Sequence, residues 1–149
     1  IFMTSLEGMP EINKLKGHDT GDRIFRMIAD HFKRFVQYPG ADLSDVILRW
    51  EGNVIMGFIN GVPRSSAVDL FKNIHDSIAE IQMDDIPSGM LSFSTGIYTE
   101  HFGISIDDSL AVTHSLMIHA INSGDNKIAV LRNPEQTATR RNIDQHGEL

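Results

Sequence analysis

The chain contains no cysteine, which excludes disulfides and thiolate metal sites and suits a reducing compartment. No apolar run approaches a membrane span. The opening residues, IFMTSL, lack the basic segment, long apolar stretch and small-residue cleavage site of a signal peptide. We therefore expect no membrane contact by this segment and a cytoplasmic setting, whether alone or as the cytoplasmic part of a larger protein. Basic charge is also scarce: 13 Lys and Arg stand against 20 Asp and Glu, a net charge of −7 that repels phosphate backbones. The densest basic pairs, Lys33-Arg34 and Arg140-Arg141, carry no interleaved aromatic side chains for base stacking, so nucleic acid is not an expected partner. Neither a G-x-S-x-G elbow, a Walker A loop nor a G-x-G-x-x-G turn occurs. Internal repeats and low-complexity segments are absent as well.

What is present is one core's worth of apolar residues, 41% of 149, enough for a single domain. Ile1 to Leu6 reads as a central strand that starts abruptly, as a segment of something longer would, and Gly8 and Pro10 end it. Pro10 suits the first turn of a short helix closed by Gly17. A second helix is expected from about Thr20, its apolar face made by Ile24, Phe25, Ile28, Phe32 and Phe35. Pro39-Gly40 breaks the chain, and Val46 to Trp50 and Val54 to Ile59 form two strands around a tight Glu51-Gly52-Asn53 turn. A helix over Ala67 to Ile81, a loop from Asp84 to Gly89 and a strand over Leu91 to Thr99 follow. A last helix runs from Asp107-Asp108 to Gly124, and a final strand covers Lys127 to Leu131. This order defines an α/β sandwich with a mainly antiparallel central sheet flanked by helices. Residues 1–132 form the expected domain, and 133–149, polar and without periodicity, a linker or disordered tail.

Few side chains group into chemistry. The seven histidines are scattered, and His114 and His119 are five apart on a helix, one too many to share an ion, so surface or capping roles are expected. Ser65-Ser66, with Asp69 three residues on, reads as a helix-capping box rather than a nucleophile. Trp50 and Met56 read as sheet packing.

Four segments carry a family resemblance: INKLKGHDTGD from Ile12 to Asp22, RWEGNV from Arg49 to Val54, SFSTGIY from Ser92 to Tyr98, and LAVTHSLMIHAINSGDNKIAV from Leu110 to Val130. In this order and spacing they resemble the IND…GH..GD segment, the R-Y-G-G-(D/E)-E-F hairpin, the T-x-S-I-G-V strand and the final helix and strand of GGDEF domains, across Phe2 to Leu131. The resemblance implies a nucleotidyl-cyclase-like fold. In the family, two domains each bind a GTP head to head with Mg²⁺ and join them into cyclic di-GMP.

The departures fall on the positions that the resemblance assigns to chemistry. The two metal-holding acids correspond to Ser5 and Asn53, and the acid after the second becomes Val54. Glu7 and Glu51 lie nearby and are weak candidates for a displaced metal site. The lysine and arginine that grip the triphosphate correspond to Ile121 and Asp125. An acid about 5 Å from a phosphate charge opposes it by roughly 3 kcal/mol at an effective dielectric near 20. An R-x-x-D inhibitory site for cyclic di-GMP corresponds to Asp42 through Asp45, with the arginine lost. The guanine-reading pair survives as Asn13 and Asp22, although Asp22 also suits the first turn of a helix.

The expectation is thus a GGDEF-like domain without catalysis, regulatory or protein-binding. No cofactor is expected, Mg²⁺ entering only with residual GTP. Expected partners are a neighbouring domain such as an EAL phosphodiesterase domain, another protein, or a second copy in a homodimer. Two alternatives stand beside it: a sensor that binds GTP without turnover, and an active cyclase with displaced metal ligands.

Overall fold

The structure, a computed structural model, describes residues 1–35, 47–60, 62–81, 86–99 and 104–131. Expectations that fall on Val46, Asp42, Asp45, Asp84, Asp85, the side chain of Phe35 and residues 132–149 lie outside the described residues. Strand β1 (Phe2–Glu7) leads into helices α1 (Met9–Lys16) and α2 (His18–Phe35). The hairpin β2 (Ile47–Arg49) and β3 (Val54–Gly57) follows, then α3 (Arg64–Ala79), β4 (Ser92–Ile97), α4 (Ile106–Asn122) and β5 (Ile128–Val130).

The sheet runs β2-β3-β1-β4-β5. Its pairings are antiparallel except for β4 with β5, which is parallel. β1 sits at the centre, as an apolar strand without alternation should, and Phe2 through Leu6 are all buried. On one face Phe2, Leu6, Ile55, Phe93 and Ile97 meet the apolar stripes of the first three helices. The rings of Phe2, Phe32 and Phe71 lie 4.8 to 6.3 Å apart, centroid to centroid, within the range of favourable aromatic pairs. On the other face Met3, Val54 and Met56 meet Met117 of α4. That helix lies very close to β4, because a Cβ on Gly96 would stand only 2.3 Å from the Met117 amide nitrogen. Small buried residues on α4, Ser109, Thr113 and Ala120, permit the approach.

Several boundaries differ from the sequence reading. α2 begins at His18, directly after Gly17, whose positive φ of 86° reverses the chain in one residue. Asp22 is therefore in the second turn and not in the first turn expected for it; Asp19 is the first-turn acid. α3 starts at Arg64 with Pro63 as its N-cap and no side-chain cap, so Ser65-Ser66 are inside the helix and form no capping box. Trp50 lies just beyond β2 and is 45% exposed, which corrects the packing role expected for it, whereas Met56 is buried. His75 is not a surface residue: at 5% exposure it bonds Thr95 Oγ1 at 2.8 Å, which in turn meets Thr4 Oγ1 at 2.8 Å.

Candidate functional site

The end of β1 and the β2-β3 turn converge, because β3 pairs with β1 in a register that sets Ser5 opposite Val54. The turn is closed by Trp50 N to Val54 O at 2.9 Å and Val54 N to Glu51 O at 2.8 Å. Gly52 takes the left-handed conformation, φ 51°, and Glu51 does not, so an acid at position 51 is compatible with the turn. Asn53 is then aimed back at β1. Its backbone oxygen accepts from Leu6 N at 2.9 Å, and its side-chain Nδ2 donates to Leu6 O at 2.7 Å and to Ser5 Oγ at 3.3 Å. The structure thus brings Ser5 and Asn53 together, and joins them by an amide donor.

A hard divalent cation is held by oxygens, usually with one or two carboxylates. Here an N–H donor occupies the space between Leu6 O and Ser5 Oγ, so the residues present do not fit Mg²⁺. Glu51 is exposed in the turn. Glu7 is on β1, half-buried, and its Oε1 is buried with no hydrogen-bond partner among the described residues. Among the described residues no group of three or more His, Cys, Asp or Glu side chains is placed to hold a metal ion.

The base-reading candidates lie on the two helices that face the hairpin, Asn13 on α1 and Asp22 on α2. Asn13, in the last turn of α1, packs its carboxamide against Gly21 of α2, where a Cβ would stand 1.8 Å from Oδ1. That oxygen is buried and has no hydrogen-bond partner among the described residues. Asn13 lines a cavity of about 520 Å³ together with Met9, Lys14, His18, Arg49 and Asn53. Asp22, the residue after Gly21 in α2, lines a neighbouring cavity of about 400 Å³ with Phe25, Lys33 and Leu48, and Arg49 lines this one too. Arg49 is held three ways: Nη1 donates to Asp22 Oδ1 at 3.0 Å, Nε donates to Gly52 O at 2.8 Å, and the guanidinium lies 4.3 Å from the centroid of Phe25. No local pattern in the sequence marks Arg49, because its partner is 27 residues away.

At the end of α4, Ile121 is half-buried and packs beside Met117, while Asp125 is exposed beyond the helix. Neither supplies a cation. The inhibitory-site positions Asp42 and Asp45 lie outside the described residues. His114 and His119 are exposed on α4, and His18 is exposed at the start of α2.

The family model described as "Diguanylate cyclase, GGDEF domain" matches residues 1–127. The chain belongs to the GGDEF family. It is 23% identical over 128 residues to diguanylate cyclase DgcM of Escherichia coli K12, a match that covers 86% of this chain and 30% of that protein. Among solved structures, the GGDEF domain of DgcB from Caulobacter crescentus, in complex with c-di-GMP, superposes with a TM-score of 0.73 at 18% identity over 87% of this chain and 75% of that one. Diguanylate cyclase SiaD of Pseudomonas aeruginosa, in complex with its activator SiaC, gives 0.73 at 18% identity, covering 87% of this chain and 48% of that one. Among the described residues no helix is long and apolar enough to cross a membrane.

Proposed function

We propose that this GGDEF domain has lost cyclase chemistry and acts as a regulatory or protein-binding domain in cyclic di-GMP signalling. The observation that carries the reading is the Asn53 amide, bonded to Leu6 O and Ser5 Oγ where the family resemblance puts two carboxylates and a cation. A neutral, internally satisfied set of groups has no excess negative charge with which to draw in a divalent ion. Ile121 and Asp125 in place of the phosphate-gripping cations support the same reading independently. Its output is contact with a neighbouring domain such as an EAL domain, with another protein, or with a second copy. The solved complex of SiaD with its activator is an example of a protein partner on a related fold. The test is incubation of the purified chain with GTP and Mg²⁺ or Mn²⁺: no cyclic di-GMP is expected, and steady synthesis would refute the proposal and point to Glu7 and Glu51 as replacement ligands.

A second reading is favoured by one observation, the partnerless buried Oδ1 of Asn13 beside the 520 Å³ cavity. In this reading the domain binds a guanine base through Asn13 and Asp22 without turnover of the nucleotide. Asn13→Ala and Asp22→Ala would each abolish binding with the melting temperature nearly unchanged; if both variants bind like the parent, the reading fails.

A further inference from the structure

Asn13 and Asp22 face different cavities, and a single side chain, Arg49, lines both. A guanine offers its N1–H and exocyclic N–H as a pair of parallel donors, and a carboxylate answers them best with both oxygens. In this structure Oδ1 of Asp22 is already taken by Arg49 Nη1. We propose that Arg49 is a gate on the base site: in the closed state it occupies Asp22 and divides the pocket, and its release joins the two cavities so that one base reaches both Asn13 and Asp22. The proposal rests on the base-binding reading above.

The gate is mechanically tied to the signature turn. Nε of Arg49 holds Gly52 O, and Gly52 directly precedes Asn53, whose amide secures the end of β1. Displacing the guanidinium from Asp22 removes one of the contacts that fix its orientation, and with it the restraint on the Glu51-Gly52-Asn53 tip. A base in the pocket is therefore signalled to the hairpin, a surface available to a partner. Trp50, the only tryptophan in the chain, is adjacent to Arg49 and 45% exposed, so it reports that change directly.

The hold is weak enough to be released by a ligand. Both members of the ion pair are about half exposed, 46% for Arg49 and 52% for Asp22, and exposed pairs are modest and screened by salt. The stacking on Phe25 adds a contribution of similar size.

The experiment is a calorimetric titration with guanosine, which carries no phosphate and so bypasses the missing triphosphate grip. Trp50 fluorescence is followed in parallel, for the parent chain and for Arg49→Ala. The Arg49→Ala chain is expected to bind guanosine roughly three- to tenfold more tightly and to lose most of the saturable Trp50 change seen in the parent. Because the ligand is neutral, raising the salt concentration should also tighten binding to the parent, a readout that holds even where Arg49→Ala is poorly folded. Equal or weaker binding by an Arg49→Ala chain that melts like the parent, or parent binding that ignores salt, overturns the gate and leaves the base site standing. Absence of guanosine binding by either chain overturns the base-binding reading, and the gate with it.

Discussion

Replacing Asn53 by aspartate, Asn53→Asp, exchanges the Nδ2 donor for an oxygen and leaves the shape of the side chain unchanged. In the parent, Nδ2 is 2.7 Å from Leu6 O and 3.3 Å from Ser5 Oγ, on a half-buried side chain. The loss of a net hydrogen bond removes about 1 kcal/mol, and opposing a carbonyl oxygen with a carboxylate oxygen costs about 1–3 kcal/mol more. Ser5 can turn its hydroxyl toward the new acceptor, which returns about 1 kcal/mol. The net destabilisation is therefore about 2 kcal/mol, or roughly 6–10 °C in melting temperature for a domain of this size. Thermal melts followed by circular dichroism at neutral pH, in chelator, measure it. Repeating the melts with millimolar Mg²⁺ separates two effects: a cation that bound the new carboxylate, Leu6 O and Ser5 Oγ would raise the variant and not the parent. If Asn53→Asp melts with the parent in chelator, the amide is not the donor that joins β1 to the hairpin, and the argument against a cation there collapses.

Acid should weaken the fold through His75. Burial pushes its imidazole down to about 4, against the smaller opposing pull of the Asp76 carboxylate. An unfolded histidine takes up its proton near pH 6.5, so this contribution is intact above 6.5 and is lost as pH falls from there toward 4, about 3 kcal/mol in all. Urea unfolding across that window should show the slope, and His75→Asn should flatten it; an unchanged slope would mean that His75 is not held neutral. Gly96→Ala places a Cβ 2.3 Å from Met117 N and 2.5 Å from Thr113 O, both backbone atoms of α4. A loss of about 3 kcal/mol is expected from such overpacking, measured by chemical denaturation, and a parent-like midpoint would show that α4 can lift away freely. Asn13→Ala and Asp22→Ala should leave the melting temperature within a few degrees of the parent while removing guanosine binding. A large fall in stability for Asp22→Ala would instead make its pairing with Arg49 structural.

Much of the fold was legible because its signals are local. The helical spacing of Ile24, Phe25, Ile28 and Phe32, the Gly52 turn between two apolar strands, and Gly17 between two amphipathic stretches each state their structure within a few residues. The boundaries that moved were set by neighbours outside those windows. Pro63, extended at φ −60° and ψ 144°, caps α3 one turn ahead of the apolar run that marks it. α2 starts at His18 because a single glycine at positive φ suffices to join two helices. His75 could have been placed inside, since it is four residues after Phe71 and three before Ile78 on the same buried stripe. Its partner Thr95 could not, because nothing in the local pattern of β4 marks which residue meets α3. The site was legible only as substitutions on a family pattern. That Ser5 and Asn53 bond each other, and that Arg49 pairs with Asp22, depends on pairings across the sheet and between β2 and α2.

The central claim is tested most directly by titrating the purified chain with GTP in a calorimeter, with and without Mg²⁺, and analysing the same mixtures for product. The account predicts no cyclic di-GMP in either mixture, and any heat of binding that is the same with and without Mg²⁺. Heat that requires Mg²⁺, accompanied by steady formation of cyclic di-GMP, would contradict it.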